Sequence, residues 1–120
     1  MKVLLVNTFD SKGGAAKAAR RLHEALNEFN CNNLMLVQHK ETNDPKIITE
    51  TNKFKIFFNL LLSKLESLFV KILLKDVNNY SLGLFSSIGI VKKINEMRPD
   101  VVHLHWTLNG MLSIKDISKI

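Results

Sequence analysis

Cysteine is nearly missing from this chain. Cys31 is the only one in 120 residues, so no internal disulfide and no thiolate metal cluster can form, and a reducing, cytoplasmic setting is expected. A dense basic tract is missing too. The net charge is +6, from 17 basic and 11 acidic residues, and the excess is spread over both halves of the chain. The electrostatic footprint of a nucleic-acid binder is therefore lacking, and nucleic acid is not an expected partner. The mild excess suits anionic small molecules or an anionic membrane surface, or serves solubility alone. The opening apolar run, Val3-Leu4-Leu5-Val6, is ended by Asn7 and is too short for a signal-peptide core or a membrane span. Repeats and low-complexity tracts are also absent.

The residues that are present suit a modest globular core. Hydrophobic residues make up 46% and charged residues 23%, and the length fits one compact domain. Residues 3–6 have the unbroken apolar pattern of a strand buried on both faces of a parallel sheet. A polar, glycine-bearing loop over 8–14 leads into a predicted helix over 15–29. Its apolar positions, Ala15, Ala18, Ala19, Leu22, Leu26 and Phe29, recur at three- and four-residue steps. Asn30 to Asn33 reads as a stop, and residues 34–37 as a second buried strand.

A turn over 42–46 follows, then a long apolar helix over 53–74. Residues 76–81 read as a loop, and a helix over 88–97 closes before Pro99. Residues 101–104 form a third strand. Ser113 is placed to cap a last helix running to the end of the chain, with Asp116 in capping-box register. The order implies an α/β fold: an incomplete Rossmann-like parallel sheet with flanking helices.

In such sheets ligands gather at the carboxyl ends of the strands. Two loops leave such ends. The first contains Ser11-Lys12-Gly13-Gly14 and opens directly into a helix. Gly13 and Gly14 would let the backbone approach a phosphate, a diphosphate or a sugar hydroxyl, with the free amides of the helix start attracting anions. A plain tight turn is the alternative. The loop is neither a Walker A motif nor a dinucleotide fingerprint.

The second loop follows His103-Leu104-His105-Trp106. Residues two apart on a strand share a face, so both imidazoles can point the same way. No third ligand has suitable spacing, so no metal is expected. His103, inside the strand, suits a buried, hydrogen-bonded histidine. His105, at its end, can reach a bound substrate. Trp106 offers a platform for a sugar ring or packs the core.

The long helix has two readings as well: core that covers the sheet, or a surface helix whose apolar face and lysines 53, 55, 64, 71 and 75 suit a membrane interface.

Together, Met1-Lys2-Val3-Leu4-Leu5-Val6-Asn7, Gly13-Gly14-Ala15, Arg98-Pro99-Asp100-Val101-Val102-His103-Leu104-His105-Trp106 and Asn109-Gly110 with Leu112-Ser113-Ile114 resemble family-4 retaining glycosyltransferases, most of all bacterial members that build surface polysaccharide. The likeness covers both ends of the chain well and residues 40–87 loosely. It implies that residues 1–120 are the first part of the N-terminal, acceptor-side domain of a two-domain GT-B enzyme, with the nucleotide-sugar domain absent. Its partners in the complete enzyme would be a nucleotide sugar and a glycan or lipid-linked acceptor, with no metal and no cofactor.

By resemblance, His105 would hydrogen-bond the donor sugar as the catalytic residue. Gly13, Gly14, His103, Trp106 and Asn109 would bind substrate, with His103 the more structural of the two histidines. The family's two glutamates eight positions apart are not found in this sequence, so the chain by itself is expected to be inactive. The location implied is the cytoplasm, at the inner membrane surface if residues 53–75 touch lipid. A free-standing anion- or nucleotide-binding module and a membrane-surface or partner-docking protein are the alternatives.

Overall fold

The computed structural model describes residues 1–73 and 81–120. Lys75 and most of the loop expected at 76–81 lie outside the described residues. The chain divides into two compact units, Met1–Thr49 with Ile94–Thr107, and Glu50–Lys93 with Leu108–Ile120.

The first unit is built on a four-stranded, all-parallel sheet of order β3-β2-β1-β4. Its strands are β1 (Lys2–Phe9), β2 (Asn32–His39), β3 (Ile47–Ile48) and β4 (Val101–Leu104). β1 lies in the middle, with Leu5 opposite Met35 on one side and His103 on the other. Its residues 3–8 are all buried. That is what an unbroken apolar run requires, because alternate side chains enter opposite faces. On one face Val3, Leu5, Met35, Val37 and Ile47 pack with Ala19 and with the half-buried Leu22, Leu26 and Cys31. Leu4, Val6 and Leu36, on the other face, are equally buried.

Helix α1 (Gly14–Glu28) covers β1 and β2. Its buried side chains are Ala16, Ala19 and His23, whereas Ala15 and Ala18 are exposed and Phe29 is 84% exposed. The buried stripe is therefore rotated from the one predicted. Small alanines let the helix approach the sheet closely. His23 takes a core position because its Nε2 reaches Asn27 Nδ2 at 3.3 Å and Asp44 Oδ2 at 3.5 Å. The stop at Asn30 holds: it adopts φ 53°, and the Cys31 amide donates to Leu26 O at 2.9 Å, as left-handed helix ends do.

β3 was not foreseen, since two residues carry no periodicity. The chain returns from β2 through residues 40–46. Lys40 Nζ pins that return by donating to Asp44 O at 2.7 Å and Ile47 O at 2.6 Å. β4 matches its predicted bounds, but it forms the edge of the sheet.

The second unit holds α2 (Lys53–Leu73), the start of α3 (Ile90–Met97) and α4 (Ile114–Ile117). Only Asn59, Glu66 and Val70 of α2 are buried. Asn59 Oδ1 accepts the Ile88 amide at 2.8 Å, and Glu66 Oε1 accepts the Ser81 hydroxyl and the Gly83 amide. The inward stripe of this helix thus satisfies the backbone of residues 81–88, and most of its large apolar side chains are exposed. Of the two readings of this stripe, the surface one fits these exposures. Ser113 caps α4 as predicted, its Oγ accepting the Asp116 amide at 3.3 Å, but the helix ends at Ile117 instead of running to the end of the chain.

Candidate functional site

β1 has β2 on one side and β4 on the other. The chain passes from β1 to β2 and β3 in one direction and later returns to pair β4 in the other. The boundary between β1 and β4 is therefore a topological switch point, the place at which open α/β sheets characteristically bind ligands. The loop with Gly13 and Gly14 and the segment with His105 and Trp106 leave this edge from neighbouring strands, as the sequence reading required.

The two strand ends are joined beyond regular pairing. His105 N donates to Val6 O at 3.0 Å. Asn7 then substitutes its side chain for backbone: Oδ1 accepts the Trp106 amide at 2.9 Å, and Nδ2 donates to Phe9 O at 2.6 Å. Trp106 O in turn accepts both the amide and the hydroxyl of Thr8, each at 2.8 Å. These bonds fix the backbone from which both loops depart. In the sequence Asn7 reads only as the end of the apolar run and Thr8 as the start of a loop; an Asn-Thr pair closing an apolar strand was the available signal.

Phe9 stands between two other rings. It stacks on His39 at 5.0 Å and on Trp106 at 6.1 Å between centroids, with interplanar angles of 22° and 23°. Three strand ends thus bring nearly parallel rings together in one stack along this edge, with Phe9 in its middle. Trp106 is half-buried, so it combines packing with exposure.

Asp10 is fully buried and was also missed, because one aspartate in a polar loop carries no local signal. Its carboxylate accepts the Glu41 amide at 3.0 Å, the Thr42 amide at 2.9 Å and the Thr42 hydroxyl at 2.6 Å. Burial alone would raise its pKa, but the Thr42 hydroxyl and the amides of Thr42 and Glu41 outweigh that and hold it below the ordinary value, so it stays ionised. This anchor brings Glu41 beside the glycine loop, where its carboxylate accepts the Ser11 hydroxyl.

Gly13 precedes α1 at φ 88°, a conformation that favours glycine. A Cβ at Gly13 or Gly14 would meet nothing within 4 Å, so the space above both is open. No side chain caps the first turn of α1 and no acidic residue lies in it, which leaves its amides oriented for an anion.

His103 and His105 stack at 4.4 Å between centroids. His103 is exposed, which corrects the expectation of a buried histidine: α1 sits over β1 and β2, leaving this side of the edge strand uncovered. His105 is more enclosed, and its Nε2 is buried with no hydrogen-bond partner. Burial first, and then the neighbouring His103, lowers its pKa, so the ring is neutral at pH 7. Burial likewise lowers the pKa of His39; Glu41 opposes the shift and Lys12 adds to it.

Asn109 belongs to the second unit. It adopts φ 59° beside Gly110 at φ 73°, and its amide faces Ser81 Oγ at 3.3 Å. Gly110 packs so closely that a Cβ would lie 3.3 Å from the Ser63 backbone. Among the described residues no group of three or more His, Cys, Asp or Glu is arranged to hold a metal ion.

The chain is an α/β protein with an incomplete Rossmann-like, all-parallel sheet. Comparison with known proteins finds no matching family model, no significant match among curated sequences and none among solved structures.

Proposed function

We propose that the chain is the N-terminal, acceptor-side portion of a GT-B glycosyltransferase. The complete enzyme would transfer a sugar from a nucleotide sugar to a polysaccharide or lipid-linked acceptor. The observation that carries this reading is the pairing of β1 with β4, which sends the glycine loop and the His105-Trp106 segment from one edge at a switch point. The uncapped start of α1 suits a diphosphate. The neutral His105 ring suits a hydrogen bond to a sugar hydroxyl, and the exposed part of the half-buried Trp106 suits the apolar face of a pyranose. On this reading the paired glutamates of the resembled family would be supplied by the rest of the enzyme, and residues 1–120 alone would not transfer sugar.

A second reading, a free-standing anion-binding module, draws on the open space over Gly13 and Gly14. Amide chemical-shift titrations distinguish the two. Inorganic pyrophosphate should shift Ser11 to Ala16, and a nucleotide sugar or free saccharide should also shift His105 and Trp106. A response to pyrophosphate with none to any sugar selects the anion module. No response at this edge defeats both.

A further inference from the structure

The helix α2 is inside out by the standards of a soluble protein. Its buried stripe is Asn59, Glu66 and Val70, and two of these three are polar. Phe54, Phe57, Leu61, Leu65, Leu68 and Ile72 lie on the opposite face, and every one of them is exposed, Phe54 to 79% and Ile72 to 65%. A contiguous apolar surface of this kind marks an interaction site.

Charge identifies what covers it. Of the charged residues of α2, Glu66 is buried and Lys55 is half-buried against Glu50. The exposed ones are Lys53, Lys64 and Lys71. Their spacing of eleven and then seven residues corresponds to about three and two helical turns, so the three ammonium groups form one line along an edge of the apolar stripe. Each aliphatic stem can run beside the stripe while its charge stays at the polar boundary. A neutral protein surface would use the stripe and ignore the lysines. An anionic bilayer uses both.

We propose that α2 is an interfacial helix that lies in the plane of an anionic membrane, with its phenylalanine and leucine face among the acyl chains and its lysine line at the phosphates. It lies on the membrane without crossing it: among the described residues no helix is long and apolar enough to span one. The inward Asn59 and Glu66, through their bonds to Ile88 and Gly83, hold the helix with that face outward. The inference does not depend on the glycosyltransferase reading.

Co-sedimentation tests it, using vesicles of phosphatidylcholine alone and vesicles containing roughly one-third phosphatidylserine, an anionic surface. The chain is expected to bind the second and not the first. Lys53→Gln with Lys64→Gln and Lys71→Gln should weaken binding roughly a hundredfold, since each lysine near such a surface contributes about fivefold. Phe57→Ser with Leu68→Ser should abolish it. All five side chains are exposed, so thermal melts in solution should stay close to wild type, and equal melts with lost binding support the proposal.

No binding to anionic vesicles, equal binding to neutral ones, or binding untouched by either variant overturns it. So does a dimer in analytical ultracentrifugation that the serine variant dissociates while vesicles are ignored, which would assign the face to a second copy. Failure here leaves the pyrophosphate and saccharide titrations unaffected, so the two readings fail separately.

Discussion

Asp10→Ala is the most informative single change in the sheet unit. The carboxylate is fully buried and accepts the amides of Glu41 and Thr42 and the Thr42 hydroxyl. Removing it leaves three donors without an acceptor. A buried donor left unpaired costs about 1–3 kcal/mol. Glu41 is exposed and Thr42 half-buried, so water can reach part of the vacated space and the low end applies to each. The expected total is about 2–4 kcal/mol, set against a stability of roughly 6–18 kcal/mol for a chain of this length.

Urea denaturation should show a lower midpoint with an unchanged slope, because the exposed surface does not change. The thermal midpoint should fall by about 10 °C. The pH dependence supplies a second, independent sign. The Asp10 pKa is lower in the folded chain than its reference value of 3.8, so its contribution is complete above that value and is lost as pH falls through the folded pKa. The alanine variant should lack this part of the acid limb. A variant within about 0.5 kcal/mol of wild type, or one with the same acid limb, would refute the anchor.

Other tests are shorter. Gly13→Ala should destabilise by about 1–3 kcal/mol because its φ of 88° and ψ of 172° lie in a region open almost only to glycine, whereas Gly14→Ala should be neutral or slightly stabilising in a helix; equal effects in chemical denaturation would deny the special backbone at Gly13. In an NMR titration His105 should ionise below the ordinary value of about 6.5, and His103→Gln should return it only part of the way, since burial is the larger cause. Stability linked to the neutral His105 ring is full above that ordinary value and declines as pH falls toward the folded pKa. Asn59→Leu should cost about 1–3 kcal/mol by stranding the Ile88 amide, with hydrogen exchange quickening at Ile88. Ser113→Ala should cost about 1 kcal/mol through loss of the α4 cap, read by the same denaturation.

The sequence alone determined where most elements lie. The run Val3 to Val6 could be satisfied only by a strand covered on both faces. Asn30 marked the end of α1, and Ser113 with Asp116 marked a cap, because these signals act within a few residues and need no distant partner. The separation of the glycine loop from the His-Trp segment was legible too, and parallel pairing on β1 brings their strands together.

What faces inward was decided by tertiary structure. Leu61 and Asn59 sit on one helix, and periodicity alone would bury the leucine. The backbone donors of residues 81–88 instead required acceptors, and Asn59 and Glu66 supply them. His103 reads as interior until α1 is seen to cover β1 and β2 and not the edge strand. Asp10 acquires its role only when Glu41 and Thr42, some thirty residues away, fold over it. Local patterns specify which backbone hydrogen bonds a segment makes with itself. Burial and polar satisfaction depend on groups far away in the chain, and no short window of sequence contains them.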